Sequence, residues 1–302
     1  MFSRRHPYLF FLLILAALFT VGMFLLSIMV TTIARKDDGL RGEKVGVIEI
    51  VGAIADSKTV LDQLKRFRET EAVKAIVLRI DSPGGGVGAS QEIYREIQRT
   101  VAEKHVVASM GAVAASGGYY VAAACDGIVA NPGTITGSIG VIMGYTNFEE
   151  LLRKIGLTPV VIKSGAYKDV GSPMRPMTEA EEALLQDLIG NIHGQFVTAI
   201  AEGRKMDMAA VADLADGRLF TGETALELGL VDRMGNFEDA LAWAGELGGI
   251  EGAVETVYPE KERMPLLRYL MDIAVRLWDQ GGLHARLMPE ARLQPALERA
   301  MH

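Results

Sequence analysis

Short, almost uninterrupted aliphatic runs, each alternating with a helical pattern, constrain this chain more than any other feature. Residues 45–51 (VGVIEIV), 75–80 (AIVLRI), 105–108 (HVVA) and 128–130 (IVA) read as strands. Between the first two, residues 57–71 carry Val60, Leu61, Leu64 and Phe67 on one helical face; residues 88–103 space Ile93, Ile97 and Val101 four apart. Strands that are apolar on both faces belong to a sheet buried on both sides, and alternation with helices makes that sheet parallel. The predicted fold class is therefore α/β.

The pattern continues less evenly. A Gly/Thr-rich loop after Asn131 leads to a predicted short strand at 139–143, a helix at 148–155 and a strand at 159–162. Residues 163–177 hold Gly165, Gly171, Pro173 and Pro176, too many breakers for regular structure. A long helix starts at Thr178 with Glu181 as its capping partner, and Leu184, Leu188, Ile192, Phe196 and Ile200 mark its expected buried face. Residues 220–230 read as a last short helix of the core. From about Pro259 the composition shifts, with an amphipathic stretch at 265–278 suited to docking or a subunit contact.

Ahead of all this, residues 7–34 contain no charged side chain. A membrane-spanning helix needs roughly 20 such residues, whereas a cleavable leader has an apolar core of about 7–15 and a small-x-small exit. The exit here is Thr31-Thr32-Ile33-Ala34-Arg35, which points to a retained anchor. Arg4 and Arg5 before the span nearly balance Arg35 and Lys36 after it, and the N-terminal amine with the short leading loop sets the expectation of a cytoplasmic N-terminus and an extracytoplasmic body. A net charge of -7 counts against a nucleic-acid partner. The single cysteine, Cys125, excludes an intrachain disulfide, and its apolar neighbours mark it as a buried structural thiol.

The chemistry centres on residues 109–126, SMGAVAASGGYYVAAACD. Ser116 followed by Gly117 and Gly118 reads as a nucleophile on a tight turn at the mouth of a helix, where free N–H groups can meet developing negative charge. The same residues also suit a glycine-rich packing turn. Other chemistries fit poorly. Gly84, Gly86 and Ala89 satisfy the G-x-G-x-x-A pattern of dinucleotide folds, but the next strand lacks the acid that would hold a ribose. His105, His193 and His284 show no metal-ligand spacing, and the first two suit structural or solvent-facing positions, which leaves a lysine as the base for a serine. Such a lysine must be neutral to accept the proton, so its charge has to be disfavoured by burial. Lys168, in the breaker-rich loop, is the candidate; the alternative is an ordinary loop charge. Asp169 would favour the charged amine unless it points elsewhere.

The segments Asp81-Ser82-Pro83-Gly84-Gly85, Ala114-Ala115-Ser116-Gly117-Gly118-Tyr119-Tyr120, Thr136-Gly137-Ser138-Ile139-Gly140 and Tyr167-Lys168-Asp169-Val170-Gly171-Ser172-Pro173 follow one another in the chain. In that order they resemble the motifs of the signal peptide peptidase A family in its short, single-domain form. Gly217 to Gly222 and Leu228 to Asp232 are similar to later blocks of the family, so the resemblance covers roughly residues 45–240. It implies a Clp-protease/crotonase-like fold of repeated ββα units and a Ser/Lys-dyad endopeptidase. In that reading Ser116 is the nucleophile, Lys168 the general base and Ser138 the group that orients the lysine. The N–H groups of Gly85 and Gly117 form the oxyanion hole. The resemblance further implies remnant signal peptides as substrates, no cofactor or metal, and a ring-like homo-oligomer whose sites are shared between subunits in the bacterial cytoplasmic membrane. A same-fold protease acting on other membrane proteins, or a non-proteolytic crotonase-like scaffold, are the alternatives. The expected organisation is a cytoplasmic stub and anchor (1–34), a linker (35–44), a peptidase domain (45–245) and a tail (246–302).

Overall fold

The computed structural model describes residues 7–35 and 42–259. Helix α1 (Pro7–Arg35) contains the apolar run, and its window Tyr8–Ser27, of mean hydropathy 2.8, is long and apolar enough to cross a membrane. None of that window is buried against the rest of the chain.

The body is built on one sheet. Its strands are β1 (Lys44–Val51), β2 (Val73–Ser82), β3 (His105–Ala115), β4 (Gly127–Ala130), β5 (Ile135–Gly137), β6 (Leu219–Thr221), β7 (Arg233–Met234) and β8 (Glu255–Val257). The main path runs β6-β5-β3-β2-β1-β8, with β4 beside β3 and β7 beside β4. Every described pairing is parallel except β5 with β6. The helices are α2 (Lys58–Glu69), α3 (Val87–Val101), α4 (Gly117–Ala122), α5 (Glu149–Lys154), α6 (Glu179–Arg204), α7 (Met208–Leu214), α8 (Gly222–Glu227) and α9 (Phe237–Leu247).

Alternate residues of the central strands feed two cores, as the apolar runs require. Ile48, Ile50, Ile76, Leu78, Ile80, Val106, Ala108 and Met110 join Leu64 and Phe67 of α2, Ile93 and Ile97 of α3, Tyr119 of α4 and Phe196 and Ile200 of α6. Val45, Val47, Ala75, Val77, Val107 and Val129 face the other way, onto Ala240, Leu241 and Ala244 of α9.

Strand β3 is longer than the predicted 105–108, because its second half finds a second partner. Val107 to Ser109 pair with β4, whereas Val113 to Ala115 pair with β5. The register slips in between, where Ile80 pairs with Met110 but Ser82 pairs with Ala114. Asp81 braces this irregularity, accepting from the Val113 N–H at 3.1 Å, and Thr134 Oγ1 donates to the Gly111 carbonyl at 2.8 Å. The slip directs the end of β3 away from β4 and toward the site.

Four local expectations need correction. Residues 139–143 and 159–162 form no strand, since neither run has a paired edge to join. Residues 220–230 divide between β6 and α8, because Phe220 pairs with Thr136 and Thr221 caps the helix that follows. The capping box at Thr178 and Glu181 is present, and Phe196 and Ile200 of α6 are buried. Leu184 and Leu188 on its N-terminal half are exposed, because nothing in the described chain covers that face. The amphipathic stretch at 265–278 lies outside the described residues.

Candidate active site

Ser116 terminates β3 and caps α4 with φ 53° and ψ -119°. This left-handed backbone is costly for a residue with a Cβ, by about 1–3 kcal/mol, and persists only where surrounding bonds enforce it. Here they do. The Ser116 N–H donates to the Gly137 carbonyl at 2.8 Å, and its carbonyl accepts from the Tyr120 N–H at 2.8 Å. Ser116 is half-buried and lines a narrow apolar hollow with Val87, Ser90, Tyr120, Val141 and Phe196. The hollow holds about 30 Å³, room for two or so waters at ~10–15 Å³ each, so it accommodates only a small side chain.

The turn after β2 closes over Ser116. Gly84 has φ 98°, and a Cβ there would lie 2.6 Å from the Gly117 nitrogen and 2.9 Å from Ser116 Cβ. Gly85 forms a parallel bridge with Ile54. The Ile54 N–H donates to the Gly84 carbonyl at 2.9 Å, and the Gly86 N–H to the Ile54 carbonyl at 2.8 Å. In that pattern the N–H of Gly85 itself faces away from Ile54. Its nitrogen lies beside Gly117, whose would-be Cβ is 3.2 Å away. Neither the Gly85 nor the Gly117 N–H donates to another described residue. Two free donors beside a strained serine can stabilise an oxyanion formed when that serine attacks a carbonyl.

Ser138 is half-buried and follows β5 directly, also left-handed at φ 50°. Its N–H donates to the Arg218 carbonyl at 2.8 Å. The Ala115–Gly137 pairing thus brings the two serine-bearing strand ends together.

Lys168 stands apart from this group. It is exposed, and it does not line the hollow around Ser116. The structure therefore assembles Ser116, Gly117, Gly85 and the Ser138 turn from one chain, without the lysine. Asp169 does point elsewhere: Lys163 Nζ donates to its Oδ1, and Arg175 Nε and Nη2 reach its two oxygens at 3.0 and 2.9 Å. Hydrogen bonds from Arg175, then from Lys163, hold the Asp169 carboxyl well below the usual carboxylate range.

The remaining described candidates are structural, and His284 lies outside the described residues. His193 Nε2 lies 2.7 Å from the Ala215 carbonyl, and His105 lies beside Asp126. Cys125 is buried, and burial pushes its thiol up. Among the described residues no cluster of three or more His, Cys, Asp or Glu side chains could hold a metal ion. Beyond Gly85, Ser116 and Gly117, the residues lining the hollow were not singled out from sequence as part of a site. Ile192 and Phe196 are four apart on α6, but only the tertiary fold shows that they end beside Ser116.

Residues 98–251 match the family described as Peptidase family S49, and residues 43–134 match the Clp protease family. A protein of Synechocystis sp. that carries a protease name is 47% identical over 230 residues, covering 76% of this chain and 83% of its own length. An Enterococcus faecium protein named for signal peptide peptidase SppA is 39% identical, covering 68% of this chain and 64% of its own. Protease 4 of Salmonella typhi is 36% identical over 70% of this chain, but only 35% of that longer protein is spanned. A solved structure of a mutant of the 1510-N membrane-bound stomatin-specific protease superposes with a TM-score of 0.51 at 20% identity, covering 73% of this chain and 99% of that one, and shows the same fold.

Proposed function

We propose, from the premise that this chain belongs to peptidase family S49 and is a serine-type protease of the Clp-protease-like fold, that it is a membrane-anchored Ser/Lys-dyad endopeptidase. Ser116 Oγ attacks the peptide carbonyl and passes its proton to the neutral amine of Lys168, which Ser138 orients. The oxyanion is met by the N–H groups of Gly85 and Gly117. The leaving amine takes the proton, and water then releases the acyl group by the same route.

The observation that carries this reading is the strained turn at Ser116 beside two unpartnered N–H groups. The exposed position of Lys168 fits a site completed by a second copy. The segment around it exposes Ile142 (97%), Val160 (84%) and Ile162 (98%), an apolar surface of the kind that protein contacts cover. The assembly is a homo-oligomer in which the serine of one copy meets the lysine of the next.

The substrates are apolar peptides left in or near the membrane, remnant signal peptides first among them. The narrow apolar hollow at Ser116 suits their small residues. Helix α1 is the anchor, with its N-terminus cytoplasmic and the body outside. A reporter fused after His302 tests this; a cytoplasmic signal overturns the orientation. Profiling with signal-peptide fragments against segments of intact membrane proteins separates this substrate class from the same-fold alternative.

The shared site has a direct test. Ser116→Ala and Lys168→Ala are each inactive alone, but co-expression restores roughly a quarter of the wild-type activity if neighbours supply the two halves at random. No restoration overturns the sharing.

A further inference from the structure

Around Lys168, residues 163–178 form no regular secondary structure, so something other than a backbone ladder must hold the lysine's place. Arg175 does this with one guanidinium. Its Nε and Nη2 take both oxygens of Asp169, and Nη2 also reaches the Asp169 carbonyl at 3.3 Å. Its Nη1 donates to Glu181 Oε2 at 2.8 Å and to the Pro176 carbonyl at 3.0 Å. Glu181 is itself fixed, its side chain accepting from the Thr178 N–H at 3.0 Å in the capping box that starts α6. One planar fork thus ties the residue after Lys168 to the buried Glu181 in the otherwise exposed first turn of a long helix.

The arrangement has an electrostatic side. The charged groups facing Asp169 are Lys163 from its own segment, Arg175 from the following turn and, across Arg175, Glu181 from α6. Lys168 has no ion pair among the described residues. A free carboxylate next to an amine favours its protonated form, which cannot accept a proton from a serine.

We propose that Arg175 is a positioning residue for peptide cleavage: by forking between Asp169 and Glu181 it withdraws the Asp169 carboxylate from Lys168 and keeps the lysine available as base. This rests on the assignment of Lys168 as base. It adds a reason why an acid adjacent to that lysine is tolerated.

The test is a double-mutant cycle on the pH dependence of single-turnover cleavage, using the full chain in detergent and a fluorogenic apolar peptide. Arg175→Met leaves the Asp169 carboxylate held by Lys163 alone and moves the midpoint of the rate's rise upward by about one pH unit. Asp169→Asn changes the midpoint little in the wild-type background and restores it in the Arg175→Met background. Lys163→Met, at a partly exposed site, moves it in the same direction by less, again reversed by Asp169→Asn. It decides the matter if Arg175→Met does not fold. A purely structural role lowers the rate without moving the midpoint, and that result overturns the proposal. Equal shifts from Asp169→Asn in both backgrounds also overturn it, because they mean simple additive charge. A wild-type rate that does not rise with pH instead defeats the assignment of Lys168, and the proposal falls with it.

Discussion

Ser116 and Ser138 each stand one residue beyond a paired position, Ala115 on β3 and Gly137 on β5, and each has a left-handed backbone, at φ 53° and 50°. The Gly137 carbonyl holds the Ser116 N–H, and the Arg218 carbonyl holds that of Ser138. Two adjacent parallel strands therefore each lead into a serine with positive φ, and the candidate site is assembled at their shared end. Parallel α/β sheets place chemistry there because the strand ends leave backbone groups that no neighbour takes.

The strain at Ser116 separates function from stability. Ser116→Ala loses peptide cleavage by about four orders of magnitude or more while the fold persists. Ser116→Gly loses activity equally but unfolds at higher denaturant, gaining about 1 kcal/mol because glycine accepts the positive φ. A glycine variant no more stable than the alanine one would show that the turn is unstrained.

Gly85 has no room for a side chain, since a Cβ would lie 2.3 Å from the Ile54 carbonyl oxygen. Gly85→Ala shifts the turn and its N–H, and kcat falls by about 10²–10³, the usual loss for one oxyanion donor. Retained kcat with a folded protein would remove Gly85 from that role.

Glu181 carries a pH signature. Hydrogen bonds from Arg175, and then from the Thr178 N–H, lower its carboxyl from 4.5 to about 2. A folded-state value below the unfolded one stabilises at pH above the unfolded value, and that contribution disappears as pH falls through the folded value. The difference in melting temperature between wild type and Glu181→Gln is thus constant above about pH 5.5 and shrinks toward pH 2. A difference that persists at pH 2 would contradict the ionic clamp.

Arg204 and Asp232 link the end of α6 to the loop after α8. Arg204 is 6% exposed at its side chain and reaches both Asp232 oxygens, at 2.9 and 2.6 Å, while Asp232 Oδ2 also accepts from the Ile128 N–H at 2.7 Å. Asp232→Ala leaves the Arg204 guanidinium with only the Gly229 carbonyl and leaves an N–H on β4 unpaired, costing about 3 kcal/mol in chemical denaturation. A loss below about 1 kcal/mol would mean that water replaces the carboxylate readily.

Much of the architecture is visible without coordinates. Runs such as 45–51 and 75–80 are apolar at every phase, and only a sheet covered on both faces uses both phases, as the division of Val45 and Val47 from Ile48 and Ile50 shows. The capping box at Thr178 is equally local, because its partners lie three residues apart. Failures arise where structure depends on a remote partner. Residues 159–162 have strand composition but no edge to pair with, and Leu184 and Leu188 have helical spacing but no described surface to cover them.

For the site, the chemistry on offer is already legible in the residues: a serine before two glycines, a glycine turn after a strand, and a lysine among breakers. These follow from local backbone freedom and residue type. Three-dimensional packing alone sets the Gly85 and Gly117 nitrogens near one another beside Ser116, puts the Ser138 turn at the same strand end and turns Asp169 onto Arg175. Those placements depend on sheet register and on contacts between residues far apart in the chain, which no local pattern encodes. The structure also placed Lys168 outside the hollow at Ser116, because the exposed apolar segment that carries it has no partner surface within the described chain.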